Sequence, residues 1–337
     1  MKHPDLVHLA QATGPFFSAA LPAPSNHADA AHRFDVEWRN ARKQLVGWDD
    51  AELDDVESQI AEVHHGDGAA LVVVHAAGGP TLLEVLDEPL HRAAVHQGAL
   101  PRLALVIETR QRAIPHVVVE TDRAGADLTG FDGGRVLDIA TVAGETLHIH
   151  RGHPGGWSQR RFQQRAENTW EHNAADVAAA TASMAADIDA RLIAIAGDVR
   201  AKTLVAEALP VALADRVVTI GAGAPDGIAD EVVRLLADVS ARDITELADE
   251  LRTALAAGTA TLAVDDTLAA LTAGRVDTLL VHDDGADGPT ISVDDGDAGE
   301  ARVVDVAIVD AMRTDATIVV VPNLAVLTGP VAALLRW

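Results

Sequence analysis

Cysteine is absent from the 337 residues, and so is tyrosine; five tryptophans and five phenylalanines supply all the aromatic side chains of Phe, Trp and Tyr type. Without cysteine there can be no disulfide, no thiolate zinc site and no cysteine nucleophile. Positive charge is scarce too, with 26 Lys and Arg against 51 Asp and Glu and a formal charge of -25. So acidic a surface repels phosphate, which opposes nonspecific nucleic-acid binding and confines any RNA contact to a local patch. No apolar run reaches the roughly 18 residues that a membrane span needs. The opening residues MKHPDLVHLAQATGP lack a basic-then-apolar signal pattern. The expectation is a cytoplasmic protein with no membrane partner.

Apolar side chains are not scarce. At 48% hydrophobic the chain can build two or three ordinary domains with proper cores. Residues 1–112 predict an N-terminal α/β domain: a strand at 16–21, helices at 29–45 and 50–64, and strands at 69–75, 81–86 and 102–107. His64 and His65 read as a surface cap to the second helix. Residues 113–222 predict a central domain. Short strands at 116–121, 125–129, 135–140 and 146–150 form an antiparallel meander, followed by a glycine loop and a long helix to about 190. A strand, a helix and a strand complete it at 191–196, 199–209 and 216–220. Residues 221–227 (GAGAPDG) read as a linker. Residues 223–337 predict a C-terminal α/β/α sandwich, with helices at 228–256, 261–273 and 305–314 and strands at 276–282 and 317–321. Residues 283–300 hold seven carboxylates and no base, and read as a solvated hairpin loop. The fold class is thus mixed α/β and α+β, in three domains.

Positive charge gathers in one place. From Arg151 to His172 there are four arginines (151, 160, 161, 165) against two glutamates, with His153 and His172. Two of the five tryptophans, Trp157 and Trp170, fall in the same stretch. Gly155 and Gly156 precede the helix, and glycines there let a backbone approach a ligand while the helix N-terminus offers free amides to an anion. Arg160, Arg161 and Arg165 suit phosphate contacts. Trp157 can stack on a base, and Gln159 can orient a water without taking its proton. On residues alone the stretch fits either a loop entering an RNA-lined site or a helix cap with a solvated arginine face.

Other motifs fall short. His148, His150 and His153 could meet a metal from a strand and a turn, but no fourth ligand stands at a familiar spacing. Gly156-Trp157-Ser158-Gln159 has Arg160 where a nucleophile elbow needs glycine. Gly221-x-Gly223 lacks the third glycine of a dinucleotide fingerprint. Asp283, Asp287 and Asp294 match part of a calcium-loop spacing, with Gly285 where a ligand is needed. No cofactor and no metal are expected.

The run HPGGWSQRRFQQRAENTWEHNAADV resembles the central loop and helix of the archaeal and eukaryotic class-1 peptide chain release factors. Those carry Gly-Gly-Gln, a small residue, an Arg-Phe-x-x-x-Arg helix and a later histidine. Gly155, Gly156, Arg161, Phe162, Arg165 and His172 fit that frame. Ala269-Ala270-Leu271 and residues 274–280 (GRVDTLL) are similar to the superfamily's C-terminal domain, so the resemblance covers residues 113–337. Trp157 stands at the usual glutamine position, and Gly156-x-x-Gln159 resembles the variant loop of ribosome-quality-control peptidyl-tRNA hydrolases. The decoding signature Asn-Ile-Lys-Ser is missing from the first domain. The resemblance therefore implies codon-independent hydrolysis of peptidyl-tRNA on stalled ribosomes. Gly155, Gly156 and Gln159 would be catalytic; Arg151, His153, Trp157, Ser158, Arg160, Arg161 and Arg165 would contact RNA. The implied partners are the ribosome at its peptidyl-transferase centre, peptidyl-tRNA and, as a candidate helper, a translational GTPase. The alternatives are a non-catalytic hibernation or rescue factor occupying the tRNA site, and a metal-dependent hydrolase built on the three histidines.

Overall fold

The computed structural model describes residues 2–23, 30–63, 69–87, 89–90, 93–122, 124–143, 156–221, 225–285, 288–293 and 299–337. They gather in two compact units, Met1–Gln111 with Ile244–Trp337, and Arg112–Asp243. No helix among the described residues is long and apolar enough to cross a membrane.

The first unit begins with a short helix α1 (Val7–Gln11) and an antiparallel sheet of β1 (Phe16–Pro22), β2 (Ala70–Ala76), β3 (Thr81–Leu86) and β4 (Ala94–Gly98), in the order β3-β2-β1-β4. Side chains alternate across a strand. Phe17, Ala19 and Leu21 of β1 therefore share a face and meet α2 (Ala30–Arg42) through Phe34 and Trp38 and α3 (Asp50–Glu62) through Leu53, Val56 and Ile60. Asp49 starts α3 by accepting from the amides of Ala51 and Glu52. The other face, with Phe16 and Val72, is covered by Leu6, Leu9, Leu103, Val106 and Ile107. The last three belong to or border α4 (Ala104–Arg112), so the strand expected at 102–107 is a helix. A short apolar run has no periodicity of its own to decide between the two; burial at 103, 106 and 107 is the helical spacing. The polar edge strand β4 was not anticipated. His64 and His65 lie outside the described residues.

The second unit bears out the meander. β5 (His116–Thr121), β6 (Gly125–Asp132) and β7 (Arg135–Ala143) run antiparallel, and the sheet continues through β5 to β8 (Leu192–Gly197) and β9 (Val217–Thr219), paired in parallel, in the order β7-β6-β5-β8-β9. The strand expected at 146–150 lies outside the described residues. One face carries α5 (Gly156–Asp187) and α6 (Val199–Ala208): Ala174, Val177, Met184 and Val205 pack on Val117, Leu128, Ile193 and Ile195. The other face carries Ile228, Val232 and Leu235 of α7 (Pro225–Ala257) on Ala194, Ala196 and Ile220. The expected linker at 221–227 is thus shorter than its composition suggested. Pro225 opens the helix, a position where its missing N–H costs nothing.

The chain then returns to the first unit through β10 (Ala260–Thr261), α8 (Val264–Thr272), β11 (Val276–Val281), β12 (Thr290–Val293), β13 (Gly299–Arg302), α9 (Val303–Arg313), β14 (Thr317–Val320) and β15 (Val331–Leu335). The sheet order is β10-β15-β11-β14, with β11 and β14 parallel. Leu251 and Leu255 of α7 cover Leu280 and Leu334 on one face. Leu271 of α8 and Ile308 of α9 share a core with Leu279, Ile318 and Val331 on the other, which is the expected α/β/α layering. That same core includes Leu9, Phe16 and Ile107 from the chain's beginning. The residues expected as a solvated loop at 283–300 include β12, which pairs with β13 as a two-stranded ribbon. Asp283 is not solvated: its side chain is 11% exposed and pairs with Arg302, two residues beyond the acidic run.

Candidate functional site

Helix α5 begins at Gly156 itself and continues for 32 residues. Trp157, Ser158 and Gln159 therefore stand in its first turn, and Arg160, Arg161 and Arg165 in its first three. At 100° per residue, positions 157, 161 and 165 form one stripe, and position 159 falls on nearly the opposite side. The side chains of 156–168 are not among those described, and Arg151, His153 and Gly155 lie outside the described residues, as do His148 and His150. Among the described side chains of the helix, the buried ones include Asn173, Ala174, Val177, Ala178 and Thr181. Thr181 returns its hydroxyl to the Val177 carbonyl at 2.8 Å. From Gly156 to Asn173 the helix axis advances about 25 Å. His172, just before Asn173, is exposed and 3.8 Å from Asp176.

The arginines of this helix have a distinctive setting in sequence. None of positions 160, 161 and 165 has Asp or Glu three or four residues away on either side, the distances at which helical side chains are neighbours. Arginine elsewhere in the molecule is treated differently. Arg302 is almost fully buried. It donates from Nε and Nη2 to Asp305 at 2.9 Å each, and from Nη1 and Nη2 to Asp283 at 2.9 and 2.8 Å. Burial pushes the Asp283 carboxyl up, but its bonds to Arg302 and the charge of Arg302 outweigh that and hold it below its usual range. Asp305 is more deeply buried, and there burial wins and raises it. Arg110 bridges Glu84 at 2.8 Å and Asp5 at 2.7 Å.

A second candidate, which the sequence did not announce, lies where the parallel strands of the second unit end. Thr121, Asp122 and Gly125 line a cleft with Asn173, Arg200 and Val205. Beside it an open hollow of about 450 Å³ is walled by Glu120, Asp127, Thr141 and Gly197. Ligands of open α/β sheets favour this end of the strands. Of its carboxylates, Asp127 accepts from the Thr141 hydroxyl and Asp122 serves the backbone. Asp122 Oδ1 accepts from the amides of Ala124 and Gly125 at 2.7 and 2.9 Å, and Asp198 caps α6 at the amides of Arg200 and Ala201. With several acids and one arginine on its walls, this cleft does not suit phosphate.

In the same unit His116 is buried. It stacks on Phe131 with ring centroids 4.8 Å apart and shares a 2.8 Å hydrogen bond with the Ile114 carbonyl through Nδ1. Burial pushes this imidazole below its ordinary value against the raising effects of that carbonyl and Asp132. Among the described residues no three His, Asp or Glu side chains stand close enough to hold a metal ion.

Residues 115–257 match the family model described as Bacterial archaeo-eukaryotic release factor family 2. That span runs from β5 to the end of α7 and includes the glycines, Gln159 and the arginines of α5. A relative from Mycobacterium tuberculosis (strain ATCC 25618 / H37Rv), the uncharacterized protein Rv2629, is 26% identical over 316 residues, covering 90% of this chain and 80% of that one. Among solved structures, an archaeal Pelota in a model of the ribosome-bound protein with ABCE1 is 16% identical, covering 100% of this chain and 94% of its own, with a TM-score of 0.44. The archaeal translation termination factor aRF1 is 18% identical, covering 98% and 96%, with a TM-score of 0.26.

Proposed function

From the match of residues 115–257 to the model of bacterial archaeo-eukaryotic release factor family 2, we propose that the chain acts on the ribosome, in the cytoplasm, as a peptidyl-tRNA hydrolase that frees nascent peptides from stalled complexes independently of the codon. The observation that carries this reading is the glycine-to-helix junction at Gly156, inside the matched span, with three arginines following that have no acidic helical neighbours.

In this reading Gly155 and Gly156 bring the backbone into the peptidyl-transferase centre. Gln159 places the water that attacks the ester between peptide and tRNA. The first amides of α5 have no intrahelical acceptor, so they can stabilise the oxyanion that develops. Arg151, His153, Trp157, Ser158, Arg160, Arg161 and Arg165 hold ribosomal RNA or tRNA, the arginines by phosphate contacts. No side chain of the junction is a general base, which suits a site whose surroundings RNA supplies. Residues 113–222 would carry the chemistry, with a translational GTPase as a candidate helper. The test is to incubate the protein with ribosomes carrying labelled peptidyl-tRNA. Freed peptide supports the reading, and absence of both binding and release contradicts it.

One observation favours a second reading. Trp157 stands where the release-factor glutamine stands, and Gln159 is within the first helical turn rather than ahead of it. A factor that occupies the tRNA site without hydrolysis would bind ribosomes and leave the peptide attached. Gln159→Ala separates the two, since it should abolish release only if Gln159 works.

A further inference from the structure

The first unit contains a cavity of about 240 Å³ that the hydrolase reading does not use. Its walls come from β1 and β4, from the β12–β13 ribbon, and from the first turn of α9. The volume is below the roughly 300–1,000 Å³ of sites for drug-sized ligands. It has room for roughly eight waters at about 30 Å³ each, and so for a ligand of about as many heavy atoms.

A buried hydroxyl points to a ligand. Ser18 lines the cavity and is 6% exposed. Its Oγ accepts from the amide of Arg102 at 3.0 Å, and its proton has no acceptor among the described residues. A buried donor left unmade is unfavourable, and an acceptor on a ligand in the cavity would satisfy it.

Charge narrows the ligand. Arg102 lines the same cavity with its side chain 20% exposed, its Nε 4.0 Å from Asp305. The oxygens of Asp305 already accept from Arg302 at 2.9 Å. A guanidinium carries five donors in a planar fork and can take a further carboxylate. Glu300, exposed at the same cavity, accepts from the Thr290 hydroxyl through Oε2 at 3.0 Å and has acceptor capacity beyond that bond. Leu100 and Ala301 are buried and add apolar wall. A simple anion would meet Glu300 and Asp305, and a simple cation would meet Arg102 and Arg302. A small molecule carrying both charges suits both sides.

We propose that this cavity binds a free α-amino acid with a small apolar side chain. Its carboxylate pairs with Arg102 and accepts from Ser18, its ammonium pairs with Glu300, and its side chain lies on Leu100 and Ala301. This goes beyond the hydrolase reading and does not depend on it.

The probe is L-valine, a ligand of that size, titrated into the full chain by calorimetry. Saturable binding with a Kd of about 1 mM or tighter is expected. Valinamide lacks the carboxylate and N-acetylvaline lacks the ammonium, and each should bind about tenfold or more weakly. Glu300→Gln, at an exposed position where the Thr290 bond can persist, should weaken valine about tenfold with an unchanged melting temperature. Arg102→Gln should weaken it as much; if that variant loses its fold, Glu300→Gln and the two analogues carry the test. No binding of valine, equal binding of valine and either analogue, or valine binding unchanged in Glu300→Gln would overturn the proposal. Acetate or methylammonium binding as tightly as valine would overturn it in favour of a simple ion.

Discussion

Arginine is used in two opposite ways in this molecule. In α7 and α9, and at the residue that precedes α9, several arginines have an acid three positions away: Arg234 with Glu231, Arg252 with Asp249, Arg313 with Asp310, and Arg302 with Asp305. At the head of α5 three arginines follow within six residues, and no carboxylate stands three or four positions from any of them. The chain has 51 acids to spend and places none there. Charge paired inside a fold needs no partner; arginines gathered without acidic helical neighbours favour an anion from outside. The two sets should therefore respond to mutation in different observables, stability for one and binding for the other.

The largest effect is expected at Arg302. Its removal would leave Asp283 and Asp305 buried with only Arg102, 4.0 Å from Asp305, as counter-charge among the described residues, and breaking a buried pair typically costs about 3–5 kcal/mol. Arg302→Ala should lower the unfolding free energy from denaturant titration by that amount at neutral pH, and a loss under 1 kcal/mol would mean the network is solvated. Gly197 comes next. Its φ of +116° is a conformation that L side chains rarely adopt, and a Cβ would collide with the Thr121 carbonyl oxygen where β8 leaves β5. Gly197→Ala should destabilise the second unit by about 1–3 kcal/mol, read by thermal denaturation.

On the other side of the comparison, Arg161→Ala should change stability by no more than about 0.5 kcal/mol. Ribosome binding should weaken, with a shallower salt dependence, as for any lost phosphate contact. Unchanged binding would leave the α5 arginines as a solvated face. The smallest effect concerns pH. His116 has a folded pKa lowered from about 6.5 by burial, so the unfolded chain binds the proton more readily. Its contribution is present above pH 6.5 and is lost as pH falls through the folded value. His3, pushed down to about 4 chiefly by burial, acts in the same direction in the first unit. His116→Phe, which keeps the stack on Phe131, should flatten the fall in melting temperature between pH 7 and pH 5 on the His116 scale of about 6.5.

Much of this architecture could be read before the fold was known, for physical reasons. The meander was legible because strands at 116–121 and 125–132 alternate and are separated by turns such as Asp132-Gly133-Gly134. The sandwich was legible because Leu247 and Leu251, and Thr267 and Leu271, keep helical spacing. The helix at 104–112 was not, since residues 103–107 are a short apolar run whose period is set by what buries it. Nor was the Arg302 network, because Asp283 lies 19 residues away and only tertiary pairing turns an acidic run into half of a buried clamp. For the candidate site, the motif itself was visible and its residue types suggested the chemistry. That Gly156 already belongs to α5 was not, because Gly-Gly reads as a turn.

The most direct test of the central claim compares the intact chain with Gln159→Ala on ribosomes carrying labelled peptidyl-tRNA, with ribosome binding measured alongside. The account predicts peptide release by the intact chain and a loss of about a hundredfold or more in the variant, with binding retained. Equal release by both, or binding without release by the intact chain, would contradict it.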